Sequence, residues 1–143
     1  AQDFFIGSLV TALEPDELVT EIEIDMLPPG TGWGFEEFAR RHGDYALAAV
    51  AVTMQRQDGV ASAVRVSLMG VGEMPMRLPQ IEAMLEGGEI NASLIDKAVD
   101  ALRAELEPNS DLNASSDYRR HLAGVLTRRA ITDAWARAGK SAA

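Results

Sequence analysis

The sequence predicts an α+β fold, a two-layer sandwich with an antiparallel sheet of three to four strands covered on one face by helices. The strands are expected at about residues 18–26, 33–39, 46–57 and 60–69, and the helices at about 78–86, 92–106 and 115–138. Three observations carry this. Period-2 patterning is confined to the first half of the chain, Asp58-Gly59 separates two apolar runs, and helix-period apolar stripes begin only after residue 78.

Asp3 to Leu13 reads as a short helix packing Phe4, Phe5 and Leu9, ended by Glu14-Pro15-Asp16. From Leu18 to Met26, Ile22, Ile24 and Met26 alternate with Glu21, Glu23 and Asp25, the pattern of a half-buried strand. Pro28-Pro29-Gly30-Thr31-Gly32 then forces a turn, and Trp33, Phe35 and Glu37 alternate in a second strand. Ala46 to Gln57 is apolar and alanine-rich, so its first half is also compatible with helix. Asp58-Gly59 tips the balance to a hairpin, because both central residues of a type I′ turn need positive φ.

Leu78 to Leu85 reads as helix up to Gly87-Gly88, and Asn91 as the N-cap of the next helix. There Leu94, Ile95, Ala98, Val99, Leu102 and Leu106 form one stripe, and Pro108 stops it. Ser115 or Ser116 caps a last long helix, with Tyr118, Leu122, Val125, Leu126 and Ala130 expected inside and Arg119, Arg120, Arg128 and Arg129 outside. The Ala-rich end after Gly139 is expected to fray.

Composition narrows the function. With 143 residues, 47% of them hydrophobic, the chain suits one domain, 1–143, with a real core. A net charge of -9 repels phosphate backbones and anionic membrane surfaces, which argues against nucleic acid as a partner. The absence of cysteine rules out a thiolate nucleophile or an iron-sulfur ligand on this chain. No apolar run approaches the roughly 20 residues that span a bilayer, and Ala1-Gln2-Asp3-Phe4-Phe5 lacks the basic start of a signal peptide, so no membrane insertion and a cytoplasmic setting are expected.

No catalytic constellation emerges. His42 and His121 are far apart and in no metal-binding spacing, so no metal site is expected. Ser115-Ser116-Asp117 reads as helix capping, and the sequons at Asn91 and Asn113 as helix starts. The acidic stretches Glu14 to Glu23 and Glu82 to Glu89 lack metal-loop spacing and read as solvated faces.

Two clusters remain. Arg40-Arg41-His42-Gly43-Asp44 falls where one strand ends and the next begins; it is either a solvated connection with a weak Arg to Asp pair, or a set of guanidinium forks for a planar or anionic group. Gly70-Val71-Gly72 sits in a loop whose glycines permit close backbone approach to a ligand or another domain, against the plainer reading of a connection. Met69, Met74 and Met76 beside it are either a soft contact surface or core filler.

Taken together, Asp3-Phe4-Phe5-Ile6-Gly7 through Thr11-Ala12-Leu13 with Glu17-Leu18-Val19, the Phe35 to Ala46 segment, and Ala114-Ser115-Ser116-Asp117-Tyr118-Arg119-Arg120-His121-Leu122 with Leu126 and Arg129-Ala130 resemble a known family nearly end to end. They are similar to the carboxy-terminal domain of the FAD-binding medium subunit of carbon monoxide dehydrogenase and xanthine dehydrogenase type molybdenum hydroxylases.

The resemblance implies a component of an FAD-dependent oxidoreductase, inactive alone, that helps enclose FAD while electrons pass from iron-sulfur clusters to an external acceptor. FAD would be held mostly by an upstream domain absent from this chain. The molybdenum cofactor and 2Fe-2S clusters would sit on partner subunits. By position it implies cofactor-lining roles for Arg40, Arg41, Asp44, Gly70, Val71 and Gly72, with no catalytic residue. Many relatives carry a lysine near Glu36 or Glu37; the two carboxylates here remove that cation, so the resemblance does not carry over a direct charge contact to flavin at that point. The rival reading is a protein-interaction domain of the same fold that binds no flavin; an independent small enzyme comes third.

Overall fold

A computed structural model describes residues 3–139; the alanine-rich end, 140–143, lies outside the described residues. In chain order the elements are β1 (Phe5–Gly7), β2 (Val10–Thr11), β3 (Gly32–Phe38), β4 (Ala48–Gln57), β5 (Val60–Met69), β6 (Met76–Arg77), α1 (Pro79–Leu85), α2 (Ala92–Glu105) and α3 (Ser116–Arg137). Strands β3-β4-β5-β6 form one antiparallel sheet with the three helices packed on it, which is the expected α+β sandwich. Among the described residues no helix is long and apolar enough to cross a membrane.

The hairpin forms at Asp58-Gly59, both with positive φ, which excludes the helical alternative for the run before it. Asn91 and Ser115 cap α2 and α3 by accepting from the amides of Leu94 and Tyr118. The core lies between Val50, Val52 and Met54 of β4, Val64, Val66 and Leu68 of β5, and Ile81, Leu85, Val99, Leu102, Leu126 and Ile131 of the helices. Inward positions on β5 change parity between Ala61 and Val64 because a bulge intervenes, with Ala63 at φ 51° and the β4 register shifting between Thr53 and Gln55.

Four expectations are corrected. Residues 18–26 form no strand and leave the outer edge of β3 unpaired; the fourth strand of the sheet is β6 instead, added beside β5. Asp3 to Leu13 is a β1–β2 hairpin rather than a helix: Phe4, Phe5 and Ile6 favour extended backbone, and Gly7 and the positive φ of Leu9 turn the chain. Tyr118 is partly exposed, packing edge-on to Phe38, whereas Arg119 of the same helical turn is buried.

The fourth correction concerns Glu82, which is buried against β5, and Glu86, which stays exposed yet turns its carboxylate to the β5 amides. Beyond the short β6, the outer edge of β5 has free amides, and α1 supplies acceptors: Glu82 takes the amide of Val66 (2.9 Å), and Glu86 those of Ala63 and Val64 (2.9 and 3.0 Å). Residues Gly87 and Gly88 pair with Ala61 to complete that edge. Burial pushes the Glu82 carboxyl up, but the bidentate bonds from Arg77 (2.6 and 2.7 Å), the Val66 amide and the charges of Arg77 and Arg65 outweigh it and leave it below its ordinary value.

On β3 the inward positions are Gly32 and Gly34, while Trp33 and Phe35 face the open side of the sheet. The absence of side chains lets α3 lie directly on the strand: a Cβ at Gly34 would fall on the carbonyl of Ala130, and one at Gly32 on the carbonyl of Ala134. Gly34→Ala is therefore expected to lower the unfolding free energy by about 2–3 kcal/mol, the range for forced overpacking. Urea unfolding measures it, with Ala51→Ser on the open face shifting the midpoint by no more than about 0.5 kcal/mol. Equal midpoints for the two variants would show that the strand and helix can part without cost.

Candidate functional site

Three connections converge at one end of the sheet: residues 39–47 between β3 and β4, residues 70–75 between β5 and β6, and residues 106–115 between α2 and α3. They enclose a cleft of about 590 Å³. Arg40, Asp44, Tyr45, Ala46 and Leu47 form the first wall, Gly70 and Gly72 the second, and Asn109, Asp111 and Asn113 the third; Arg119 lies at the floor and Ser8 of the β1–β2 turn at the rim.

Arg119 ties these walls together. Its side chain enters from the first turn of α3 and is only 8% exposed. Nη1 donates to the carbonyls of Leu47 (2.7 Å) and Gly70 (2.8 Å), and Nη2 to Asp111 Oδ2 (2.8 Å). One guanidinium fork thus satisfies two main-chain acceptors at the start of β4 and the end of β5, and pairs its charge on the third wall. Gly70 makes the convergence possible. It has φ +79°, and a Cβ there would lie 2.9 Å from the carbonyl oxygens of both Ala46 and Leu47.

Asp111 organises the third wall. Its Oδ1 accepts the amides of Asn113 (2.8 Å) and Ala114 (2.9 Å), an Asx-type turn that precedes the Ser115 cap. The two amides, followed by the bond from Arg119, hold its carboxyl down to about 2 from an ordinary 3.8. Arg40 Nη1 reaches Asn113 Oδ1 at 3.5 Å, linking the first wall to the third.

Of the six residues expected to line a cofactor, Arg40, Asp44, Gly70 and Gly72 meet at this cleft. Arg41 is exposed outside it. Val71 is buried and lines a neighbouring hollow of about 280 Å³ behind the glycine loop, with Met76, Leu78 and Leu106. Arg40 bonds Asn113, and no Arg to Asp pair forms within the 40–44 segment among the described ion pairs. Met76 packs on the core, whereas Met69 and Met74 are partly exposed. Glu36 turns to Arg129 on α3 at 3.8 Å, and His42 and His121 are exposed and line neither hollow.

Sequence reasoning missed Arg119, Asp111 and Tyr45 as site residues. Asp111 carried a signal in its run of turn-forming residues, Asn109-Ser110-Asp111-Leu112-Asn113. Tyr45 carried none, yet it lines the cleft and is 99% exposed.

The donors and surfaces suit part of an FAD molecule better than the whole. The N-terminus of α3 is already occupied, since Ser115 takes the amide of Tyr118 and Ser110 Oγ that of Ser116 (2.8 Å), so it offers no free nest for a pyrophosphate. An exposed tyrosine ring, a side-chain-free glycine wall and the Arg40 fork suit a planar ring with polar edges.

Residues 33–134 match the CO dehydrogenase flavoprotein C-terminal domain. The chain is 35% identical over 137 residues to the carbon monoxide dehydrogenase medium chain of Hydrogenophaga pseudoflava, covering 96% of this chain and 48% of that one. It is 39% identical over 137 residues to the nicotine 6-hydroxylase medium subunit of Paenarthrobacter nicotinovorans, with the same coverage. Among solved structures, the carbon monoxide dehydrogenase of Hydrogenophaga pseudoflava that lacks the Mo-pyranopterin moiety superposes with a TM-score of 0.90 at 36% identity, over 96% of this chain and 48% of that one. Quinoline 2-oxidoreductase from Pseudomonas putida 86 superposes with a TM-score of 0.85 at 36% identity, over 92% and 46%. The chain spans about half the length of the relatives it matches.

The depressed Asp111 carboxyl gives a pH signature. Because the folded value lies below the unfolded one, the unfolded chain binds the proton first; the stabilisation is complete above about pH 4 and is lost as pH falls through about 2. Asp111→Asn is therefore expected to be less stable than the parent above about pH 4, with the two converging toward pH 2 in urea unfolding. A difference that stays constant across that window would mean that the charge of Asp111 contributes nothing.

Proposed function

The chain belongs to the CO dehydrogenase flavoprotein C-terminal domain family, and from that premise we propose that it closes one wall of an FAD site in the medium subunit of a molybdenum hydroxylase. The observation that carries the reading is the cleft itself, into which four of the family-implied lining residues converge around a buried arginine.

FAD, when bound, supplies the redox chemistry and accepts electrons delivered one or two at a time. The residues of this chain bind, orient and shield. Tyr45 offers its face for stacking against a planar ring, Arg40 offers unspent N–H donors to polar ring edges, and Gly72 lets the main chain approach closely. Arg119 and Asp111 act through the walls they hold and are positioning residues. Excluding water on this side limits where an external acceptor reaches the flavin. No residue of the cleft is assigned a bond-making role.

The remaining parts of the proposal concern the assembled enzyme. Most FAD contacts come from the half of the subunit outside this chain, 2Fe-2S clusters on a separate small subunit deliver the electrons, and the molybdenum cofactor on a separate large subunit hydroxylates the substrate. The names of the relatives, which are medium chains and medium subunits of carbon monoxide and nicotine oxidising enzymes, support this arrangement. The lack of cysteine fits clusters carried elsewhere.

In the full-length subunit, Tyr45→Ala is expected to weaken FAD binding roughly three- to tenfold, the scale of one lost aromatic stack, and Tyr45→Phe to retain it. Flavin fluorescence titration measures both. Gly72→Val supplies a second readout: its Cβ would press on the flexible end of Met76 and meet the Met74 carbonyl at ordinary contact distance, so the fold is expected to survive while access changes, and flavin reoxidation by an added acceptor should slow. Unchanged affinity in the first variant and unchanged reoxidation in the second would remove the flavin from this cleft and favour a flavin-free interaction domain.

A further inference from the structure

One edge of the sheet has no strand beside it. Strand β3 pairs with β4 on its inner side and, among the described residues, with no strand on its outer side. Hydrogen-bonding groups alternate along a strand: the Phe38 carbonyl turns inward, where it accepts the Leu47 amide, and the Trp33 carbonyl turns outward. The main-chain groups of Trp33, Phe35 and Glu37 therefore line the open edge. Beside them the Trp33 and Phe35 residues are 52% and 54% exposed, and the strand carries no proline, lysine or bulge. A seven-residue edge of this kind is a template for pairing with another chain.

Helix α3 lays cations across that edge. Arg129, Asp133 and Arg137 recur at four-residue spacing, so they form one row along the helix. Arg129 faces Glu36 at 3.8 Å, and Arg137 comes over the edge itself. Its Nη1 donates to the Trp33 carbonyl at 2.6 Å, its guanidinium carbon lies 4.0 Å from the centre of the Trp33 ring, and Nη2 is steadied by Asp133 at 3.3 Å. Two copies of β3 can meet antiparallel about Phe35, which sets Trp33 of one opposite Glu37 of the other and employs every outward group. In that register the Glu37 amide needs the Trp33 carbonyl, which Arg137 already occupies.

We propose that Arg137 guards the open edge of β3 and keeps it from pairing with the β3 edge of a second copy of this chain. An arriving strand has to displace the guanidinium from the Trp33 carbonyl and uncover the indole, and a symmetric pair has to do so in both copies. The net charge of -9 on each copy adds a repulsion that salt screens, whereas the guanidinium contact acts at hydrogen-bond range. The role is independent of the flavin reading, because no residue from Trp33 to Glu37 lines the cleft.

Sedimentation velocity of the 143-residue chain over a concentration series tests this, with hydrogen exchange read on the same samples. In the parent, the amides of Trp33, Phe35 and Glu37 are expected to gain no protection as concentration rises. Arg137→Ala is expected to associate roughly tenfold more tightly for each edge released, and so about a hundredfold for the symmetric pair, although it leaves each copy one unit more negative. Those three amides should become protected as it associates. Phe35→Lys added to Arg137→Ala puts a charge on the edge without touching α3 and should return the chain to monomer. Matching urea midpoints for the parent and Arg137→Ala show that the fold is retained. A variant as monomeric as the parent would overturn the proposal. So would a parent that already pairs through β3, association that Phe35→Lys leaves intact, or protection that falls on residues 18–26 instead of β3.

Discussion

The site depends on one buried guanidinium. Arg119 sits where three connections must meet, and each of its three hydrogen bonds holds a different one: the start of β4 through Leu47, the end of β5 through Gly70, and the α2–α3 loop through Asp111. Burying a charge is unfavourable unless its donors are met, and here two carbonyls and a carboxylate meet them. The remaining features of the cleft follow from this. Gly70 has no Cβ because the carbonyls of Ala46 and Leu47 lie where it would be, Asp111 is held by two loop amides so that its carboxylate faces the arginine, and Ser115 caps α3 so that its first turn carries Arg119 inward.

The rest of the domain gives this knot a rigid support. Helix α3 lies against the main chain of β3 because Gly32 and Gly34 present no side chains, which places the first turn of the helix at the end of the sheet where the connections gather. On the far edge, Glu82 and Glu86 act as a substitute strand for the bulged part of β5. A carboxylate pair on one helical face thereby protects the edge that the two-residue β6 leaves open. The cleft is therefore walled by loops whose ends are all fixed to the same sheet and helix, which is how loop residues such as Tyr45 and Arg40 can serve recognition.

What was legible in the sequence followed periodicity and punctuation. Asp58-Gly59 marked the hairpin, Asn91 and Ser115 marked helix starts, and the α2 stripe was buried as read, since each signal is local and has a local cause. The misses share a different cause. Alternation at residues 18–26 reports that one side of a strand is to be buried but not in which sheet, and here the sheet of this domain does not take it. Gly32 and Gly34 were invisible as core positions because hydrophobic patterning weighs side chains, and their contribution is the lack of one. Arg119 and Glu82 were assigned to water because charged residues are seldom buried; only the partners supplied by other segments reverse that rule. The family resemblance covered the Arg40–Asp44 and Gly70–Gly72 segments, and four of those six positions meet at the cleft, whereas Val71 points into the core and Arg41 into solvent.

The most direct test of this account is equilibrium unfolding in urea of Arg119→Lys beside Arg129→Lys. A lysine keeps the charge but cannot fork to two carbonyls and a carboxylate at once. The expected result is a loss of about 2–3 kcal/mol at position 119, the scale for stranding buried acceptors, and no more than about 0.5 kcal/mol at the exposed position 129. Equal stability of the two variants would contradict the account, because it would show that the three walls hold together without the guanidinium.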